Sequence, residues 1–575
     1  MPNLFSQAAT QAGIGEVRLN DELRRIERLP RRLWDSKAEG LANELTEILR
    51  TPKGTMSLRP IQAVALCEIG MVGGLFGPLR VGAGKTLISL LAPRVAFAKR
   101  PLLLVPAALV GKTRRDEAEL RLHWRLPEWL RVISYEWLGR AQAAQALEDY
   151  APDLIIADEV HRLKNPRAAV TRRVRRYMQD EPDTHFVGMS GTITKRSILD
   201  FAHILRWSHK PEAAPLPRKY TDLELWADAL DERKGQLRRA DPGALRVLCN
   251  EDEEQAWPAD PRRTARRAFR RRLVETPGVV ATKETPIDAS IVMRGVEPPK
   301  SRDVDAAFAR LRYQWETPDG WPIADGLAMN RHAREIALGF YYVWDPRPPA
   351  LWLEARRVWA AFVRRTLRYS KTLDSELQVR RVHADAPECV DWLAVRKTFE
   401  PRTVAQWLDG SVAEYCADWA HANGGIVWCE HTCFGELLHS LGVPYYGRKG
   451  ETCDGQPIEA HKPGRGLAAS IASNATGRNL QAWSRNLIAS APANGLQWEQ
   501  LIGRTHRDGQ QADEVTFDVL TACAEHVGAF WQAVRDSEFV YDSTGSPQKL
   551  LVADTDIATA DSIAFLSGPR WDKQF

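Results

Sequence analysis

Long apolar runs are missing from this chain. Nowhere do about eighteen apolar residues follow one another, the length a membrane-crossing helix needs, so no membrane partner is expected. The opening stretch, MPNLFSQAATQAGIGEVRLNDELRR, has no apolar core behind a basic start, which argues against a secretion signal. The 8 cysteines are scattered without framework spacing, which excludes a disulfide scaffold and points to a reducing intracellular compartment, cytoplasmic or, in a eukaryotic cell, nuclear. Cys429 and Cys433 flank His431, and Cys453 follows. Zinc sites usually join two close pairs of ligands, and no second pair is present, so these cysteines read as structural. Charge of one sign is in small surplus, +5 over 575 residues, which neither requires nor excludes a nucleic-acid partner. Internal repeats and long low-complexity segments are absent too.

The chain that remains is too long for one core, and its alternation of short apolar runs with helical patterns indicates α/β layers. Residues 15–50 read as one or two amphipathic helices interrupted near Pro30. From Leu58 to Trp207, the runs at 101–106, 131–135, 153–158 and 185–190 read as buried strands of a parallel sheet. Residues 208–290 are charged and proline-rich. They carry the densest basic cluster, Arg262, Arg263, Arg266, Arg267, Arg270, Arg271 and Arg272, for which a solvated helix face and phosphate contact are equally compatible. Residues 300–420 are helical and rich in tryptophan, read as core rather than as base-stacking platforms. A second set of strands is expected at 424–430, 467–473, 486–491 and 514–520. The residues after 540 show little pattern and read as a partly mobile tail.

The strongest local feature is GPLRVGAGKTLISLL at 77–91. Gly82, Ala83 and Gly84 let backbone N–H groups approach phosphate oxygens, and a helix starting near Lys85 favours anionic charge at its N-terminus. Lys85 would reach the β and γ phosphates of ATP, and Thr86 would hold Mg²⁺. Leu79 stands where the usual first glycine of such a loop falls. A second feature, DLIIADEVH, sets Asp158 and Glu159 at the end of an apolar strand, where ligands of parallel sheets bind. Asp158 suits the Mg²⁺ shell, and Glu159 suits polarising the attacking water.

With LRPIQ at 58–62, GAGKT at 82–86, LLLVPAALV at 102–110, DEVHRLKN at 158–165 and SGTIT at 190–194, the order of motifs resembles that of superfamily-two helicases. DEVHRLKN looks especially like the Swi/Snf-type DNA translocases. The resemblance implies that Gln62 contacts adenine. It also implies that His161, Ser190, Gly191 and Thr192, with Gly477 further on, couple nucleotide state to movement of the lobes.

The C-terminal half continues the likeness. ATGRNLQ at 475–481 and WEQLIGRTHRDGQ at 498–510 resemble helicase motifs five and six. The second string matches the Swi/Snf-type pattern at Gln500, Gly503, Arg504, His506, Arg507, Gly509 and Gln510, with Gln500 implied at the nucleotide. Arg504 and Arg507, three apart, would share one helical face. Supplied from a second lobe, they would meet charge on the transferring γ-phosphoryl and tie hydrolysis to lobe closure. GGIVWCEHTCFGELLHSLG at 424–442 resembles motif four, but Trp428-Cys429-Glu430 departs from the family's Phe-Ser-type sequence.

The resemblance implies two RecA-like lobes with parallel sheets. The expected division is a helical N-terminal extension at 1–54, lobe one at 55–295, a helical tryptophan-rich insertion at 296–420, lobe two at 421–540 and a tail at 541–575. The implied activity is ATP hydrolysis, with Mg²⁺, coupled to translocation of a compact monomeric motor along duplex DNA without sequence reading. Two alternatives stay open: a strand-separating DNA or RNA helicase, and a nucleotide-gated DNA clamp.

Overall fold

In a computed structural model of the chain, every residue is described except 1–15, 35–36, 81, 192, 195–196, 232–239, 283–288, 300, 324–325, 371–372, 374, 476, 508 and 559–575, together with the side chains of residues 108 and 368. The chain divides into two compact units: residues 1–285 with 536–548, and residues 286–535 with 549–575. Each is an α/β unit built on a parallel sheet. No helix among the described residues is long and apolar enough to cross a membrane.

The first unit holds strands β1 (Leu75–Pro78), β2 (Pro101–Val105), β3 (Arg131–Ser134), β4 (Leu154–Asp158) and β5 (His185–Ser190). Their order is β1-β5-β4-β2-β3, all parallel. Parallel neighbours need crossovers, and the helices Lys85–Val95, Val110–Leu120, Ala146–Tyr150 and Ala169–Asp180 supply them. Both sheet faces are covered, which is why the strands read as unbroken apolar runs. Leu102 and Leu104 enter one core while Leu103 and Val105 enter the other, as the two-residue period of a strand dictates. The N-terminal helices, Asp21–Arg28 and Ala38–Leu49, fall on either side of Pro30 as expected. The first is capped by Asn20, whose side chain accepts from the Leu23 N–H.

The arginine cluster lies on the helix Pro261–Val274, and the first unit itself occupies it. Arg266 and Arg272 are buried. Arg262 donates to the carbonyls of Asp228, Ala229 and Ala240, and Arg272 to those of Ile26, Leu29 and Pro30. Arg263 and Arg267 pair with buried Asp542 at 3.1 and 3.2 Å, and Arg271 pairs with Glu253 at 3.0 Å. Neither reading from the sequence anticipated this: most of these guanidinium groups satisfy main-chain oxygens and carboxylates of their own unit.

The second unit holds β6 (Ser290–Val296), β7 (Phe340–Trp344), β8 (Thr403–Trp407), β9 (Ile426–Cys429), β10 (Tyr445–Tyr446), β11 (Leu467–Ser470), β12 (Arg485–Ile488), β13 (Glu514–Leu520) and β14 (Asp554–Asp556). Seven form a parallel sheet in the order β10-β11-β9-β12-β13-β6-β14. Because β6 pairs with β13 along its whole length, the stretch expected to close lobe one at 295 already belongs to the second sheet. The pattern-poor tail is likewise corrected up to residue 558: the helix Ala524–Thr544 runs past 540, a short helix covers Lys549–Val552, and β14 joins the sheet edge.

The expected helical insertion contains the helices Arg302–Ala309, Gly326–Ala337, Ala350–Tyr369, Glu376–Val382 and Pro387–Val395, and also the antiparallel pair β7–β8. Of its tryptophans, Trp352 and Trp359 are buried, while Trp315 and Trp321 are exposed.

Candidate nucleotide site

The site grows from the carboxyl ends of three adjacent strands. In the register of the first sheet, Pro78 at the end of β1 sits opposite Ser190 at the end of β5, and Asp158 at the end of β4 sits opposite Met189. Three chain segments that end at Pro78, Asp158 and Ser190 therefore finish at one edge, where parallel sheets bind ligands.

After β1 the chain continues past Leu79 and Arg80, and at Gly84 it enters the helix that begins at Lys85. Gly84 has φ +79°, and a Cβ there would stand 1.9 Å from Gln62 Nε2. Both the backbone angle and the amide of Gln62 thus demand glycine. Gln62 is itself fixed: its Oε1 accepts from the Arg59 N–H at 2.8 Å. The Arg59 side chain then braces the turn, donating to the Gly82 carbonyl at 3.0 Å. Gly82 is exposed with open space around it, Ala83 is buried, and Thr86 is half-buried in the first turn of the helix. Lys85 points inward. Its Nζ donates to the carbonyls of Leu79 and Arg80, both at 3.1 Å, so the residue in the place of a glycine contributes its main-chain oxygen.

Glu159 follows β4 with φ +61°, a left-handed conformation that costs a non-glycine residue on the order of 1–3 kcal/mol. That turn brings its carboxylate into a buried network. Oε1 lies 3.9 Å from Lys85 Nζ, and Oε2 accepts from Ser190 Oγ at 3.0 Å. His161 Nδ1 stands 2.9 Å from Ser190 Oγ and 3.3 Å from Glu159 Oε2. Since the serine proton goes to Glu159, Nδ1 carries the imidazole proton. Burial alone would raise the Glu159 carboxyl, but the charge of Lys85 and the hydrogen bonds from His161 and Ser190 outweigh it and hold it well below the usual carboxylate range. Burial lowers His161, only partly opposed by Glu159.

Asp158 behaves oppositely. Burial first, and the adjacent Glu159 charge second, push its carboxyl up to about 6. Its Oδ1 is buried without a hydrogen-bond partner. A carboxylate oxygen left bare in a dry site is costly unless a cation meets it, so the residues fit Mg²⁺. No group of three or more His, Cys, Asp or Glu side chains arranged to hold a metal occurs among the described residues. One carboxylate with a hydroxyl and substrate phosphates is a common way of binding Mg²⁺.

Two supporting residues escaped the sequence. Tyr135 donates its hydroxyl to the Asp158 carbonyl at 2.8 Å and so fixes the end of β4; a tyrosine after an apolar run signals only core. Gln548 donates to the Gly191 carbonyl at 3.2 Å from a stretch that carried no pattern. Thr192 lies outside the described residues.

In the second unit, the helix Gly495–Thr505 ends before Arg507. The expected shared helical face is therefore corrected, although the two arginines do converge: Arg504 and Arg507 each donate to the Arg478 carbonyl, at 3.1 and 3.3 Å. Arg504 is buried and also donates to the carbonyl of Gln500, whose side chain is half-buried. Arg507 is half-buried and donates to the side-chain oxygen of Asn479. Gly477, with φ +79°, turns the loop that presents these acceptors. His506 is held by Lys549 Nζ on Nδ1 at 3.0 Å and lies 2.8 Å from the Ala289 carbonyl. No family model matches this chain, and no curated protein matches its sequence.

Proposed function

We propose that this protein is a DNA-dependent ATPase that couples hydrolysis to translocation along duplex DNA. The observation that carries the reading is the convergence at the ends of β1, β4 and β5: a glycine turn leading into a helix, a buried lysine, and two buried acidic side chains side by side, one of them 3.9 Å from the lysine. Choosing duplex DNA as the track rests on the likeness of 158–165 and 498–510 to Swi/Snf-type translocases.

In this reading the turn and the helix N-terminus receive the phosphates. Lys85 exchanges the carbonyls of Leu79 and Arg80 for phosphate oxygens. Thr86 and Asp158 would hold Mg²⁺, which when bound neutralises charge on the phosphates. Glu159, kept ionised, orients the attacking water by accepting its hydrogen bond. Its link through Ser190 and His161 connects that carboxylate to Gly191, in the segment implied to respond to nucleotide state. Gln62 is anchored beside the turn and serves the base. Arg504 and Arg507 act on the charge that develops during transfer.

The test is ATP turnover by the purified chain, alone and with duplex DNA, single-stranded DNA or RNA, with Glu159→Gln as control. Stimulation by duplex DNA is expected. A preference for single strands or RNA would move the assignment to a strand-separating helicase. DNA binding that depends on nucleotide but proceeds without stimulated turnover would make the protein a clamp.

A further inference from the structure

The helices Ala350–Tyr369, Glu376–Val382 and Pro387–Val395 form a small lobe with its own core, in which Trp359, Val363, Val379 and Cys389 are buried. Between the first and third of these helices lies a cleft of about 430 Å³. Trp359 and Trp392 line it, and Arg356, Arg364 and Arg396 stand exposed around it. The one acid lining it, Glu376, accepts from Trp359 Nε1 at 3.1 Å.

The arginines of this lobe fall into two kinds. Arg357 is paired with Glu354, hydrogen-bonded from Nε at 2.9 Å, and Arg365 lies 3.9 Å from Glu388. Arg356, Arg364 and Arg396 have no such carboxylate among the described residues. Arg356 is nevertheless placed, its guanidinium carbon lying 5.1 Å from the centre of the Trp352 ring. Stacking holds a guanidinium plane while leaving its edge donors free for an anion. Arg356 and Arg364, two turns apart, occupy one face of their helix, and Arg396 faces them from the end of the third. Three unneutralised, forked donors around one cleft match the spaced charge of a phosphate backbone better than any single small anion.

We infer that this cleft binds the sugar-phosphate backbone of DNA, giving the protein a contact to its track on the helical lobe of the second unit. The choice of DNA over another polyanion rests on the proposed function. The site carries no sequence preference, because phosphate contacts confer none.

The test is fluorescence-anisotropy titration of the full chain, without nucleotide, with a labelled DNA duplex at several salt concentrations. The wild type is compared with the triple variant Arg356→Ala, Arg364→Ala, Arg396→Ala. A control triple, Arg357→Ala, Arg365→Ala, Arg381→Ala, removes equal charge from outside the cleft. Circular dichroism melts verify that each variant is folded. The cleft triple is expected to weaken binding on the order of tenfold and to lower the slope of log K against log salt by about 2–3, roughly 0.9 per lost phosphate contact. The control triple should change both far less. Equal losses in the two triples, or no loss in the cleft triple, would overturn the inference, and so would tighter binding of poly-glutamate than of the duplex. ATP turnover of the wild type with and without the same duplex separates the two proposals. A silent cleft with DNA-stimulated turnover defeats the cleft alone, whereas a chain that neither binds nor responds to DNA defeats both.

Discussion

Lys85 Nζ and Glu159 Oε1 lie 3.9 Å apart in a site where both side chains are about nine-tenths buried. Neither charge could stay there without the other and the hydrogen bonds around them, because isolated buried ions are heavily penalised. The pair therefore ties the helix that begins at Lys85 to the end of β4 and, in the proposed function, also presents charge to a ligand.

Removing one member should separate these duties. Lys85→Ala is expected to abolish ATP turnover and to lower stability by about 1–3 kcal/mol, since Glu159 keeps only the donors from Ser190 and His161. Adding Glu159→Gln should recover part of that stability and none of the turnover. Urea denaturation of the two single variants and the double measures the coupling, and strict additivity would refute the pairing.

Asp158 should show a stability–function conflict. Its buried Oδ1 has no partner, so Asp158→Asn is expected to raise the melting temperature without Mg²⁺ by a few degrees, about 1 kcal/mol. The same change should remove the further rise that Mg²⁺ with ATP gives the wild type. Differential scanning calorimetry with and without Mg²⁺ and ATP reads both effects.

Glu159→Gln keeps the side chain's shape and can still accept from Ser190. ATP affinity should stay near wild type while kcat falls by roughly 10²–10⁴. Filter binding of labelled ATP beside single-turnover hydrolysis distinguishes this from misfolding, which would remove both.

The two arginines of the second unit should differ although they share the Arg478 carbonyl. Arg504 is buried and satisfies the Gln500 carbonyl as well, so Arg504→Ala should destabilise by about 1–3 kcal/mol. Half-buried Arg507, beyond the helix end, should lose on the order of 10³ in kcat on replacement by alanine, with little change in melting. Equal melting losses in the two variants would contradict this division.

Acid should weaken the first unit through two histidines on the helix Ala202–Ala213. Burial pushes both His203 and His209 down to about 4. Between pH 6.5 and 4 the unfolded chain therefore binds protons that the folded chain refuses, and stability falls as pH falls through that window. His209→Gln should flatten the profile of denaturation midpoint against pH there; an unchanged profile would show that His209 does not contribute.

What could be read in the sequence follows the range of the physics involved. Buried strands such as Leu154–Asp158 announce themselves because every residue is apolar until the closing acid. The loop into Lys85 is legible because glycine is required locally. Short or edge strands such as Tyr445–Tyr446 and Asp554–Asp556 carry too few residues for a pattern. The partners of the arginine helix were illegible for another reason: Asp542 meets Arg263 and Arg267 across more than 270 residues of chain, and no periodicity encodes that encounter. The same holds for Tyr135, whose role is one hydroxyl contact that only folding creates.

Strands β7 and β8 pair antiparallel, and beyond them the Asp345 N–H donates to the Arg402 carbonyl at 3.0 Å. The helical lobe thus leaves and rejoins the chain at adjoining backbone positions. Such a segment is a cassette: closing 345 to 402 with a tight turn would produce an ordinary hairpin and leave every strand of the seven-stranded sheet in its register. Removing the lobe in this way would take the arginine-lined cleft with it while the parent sheet stays intact.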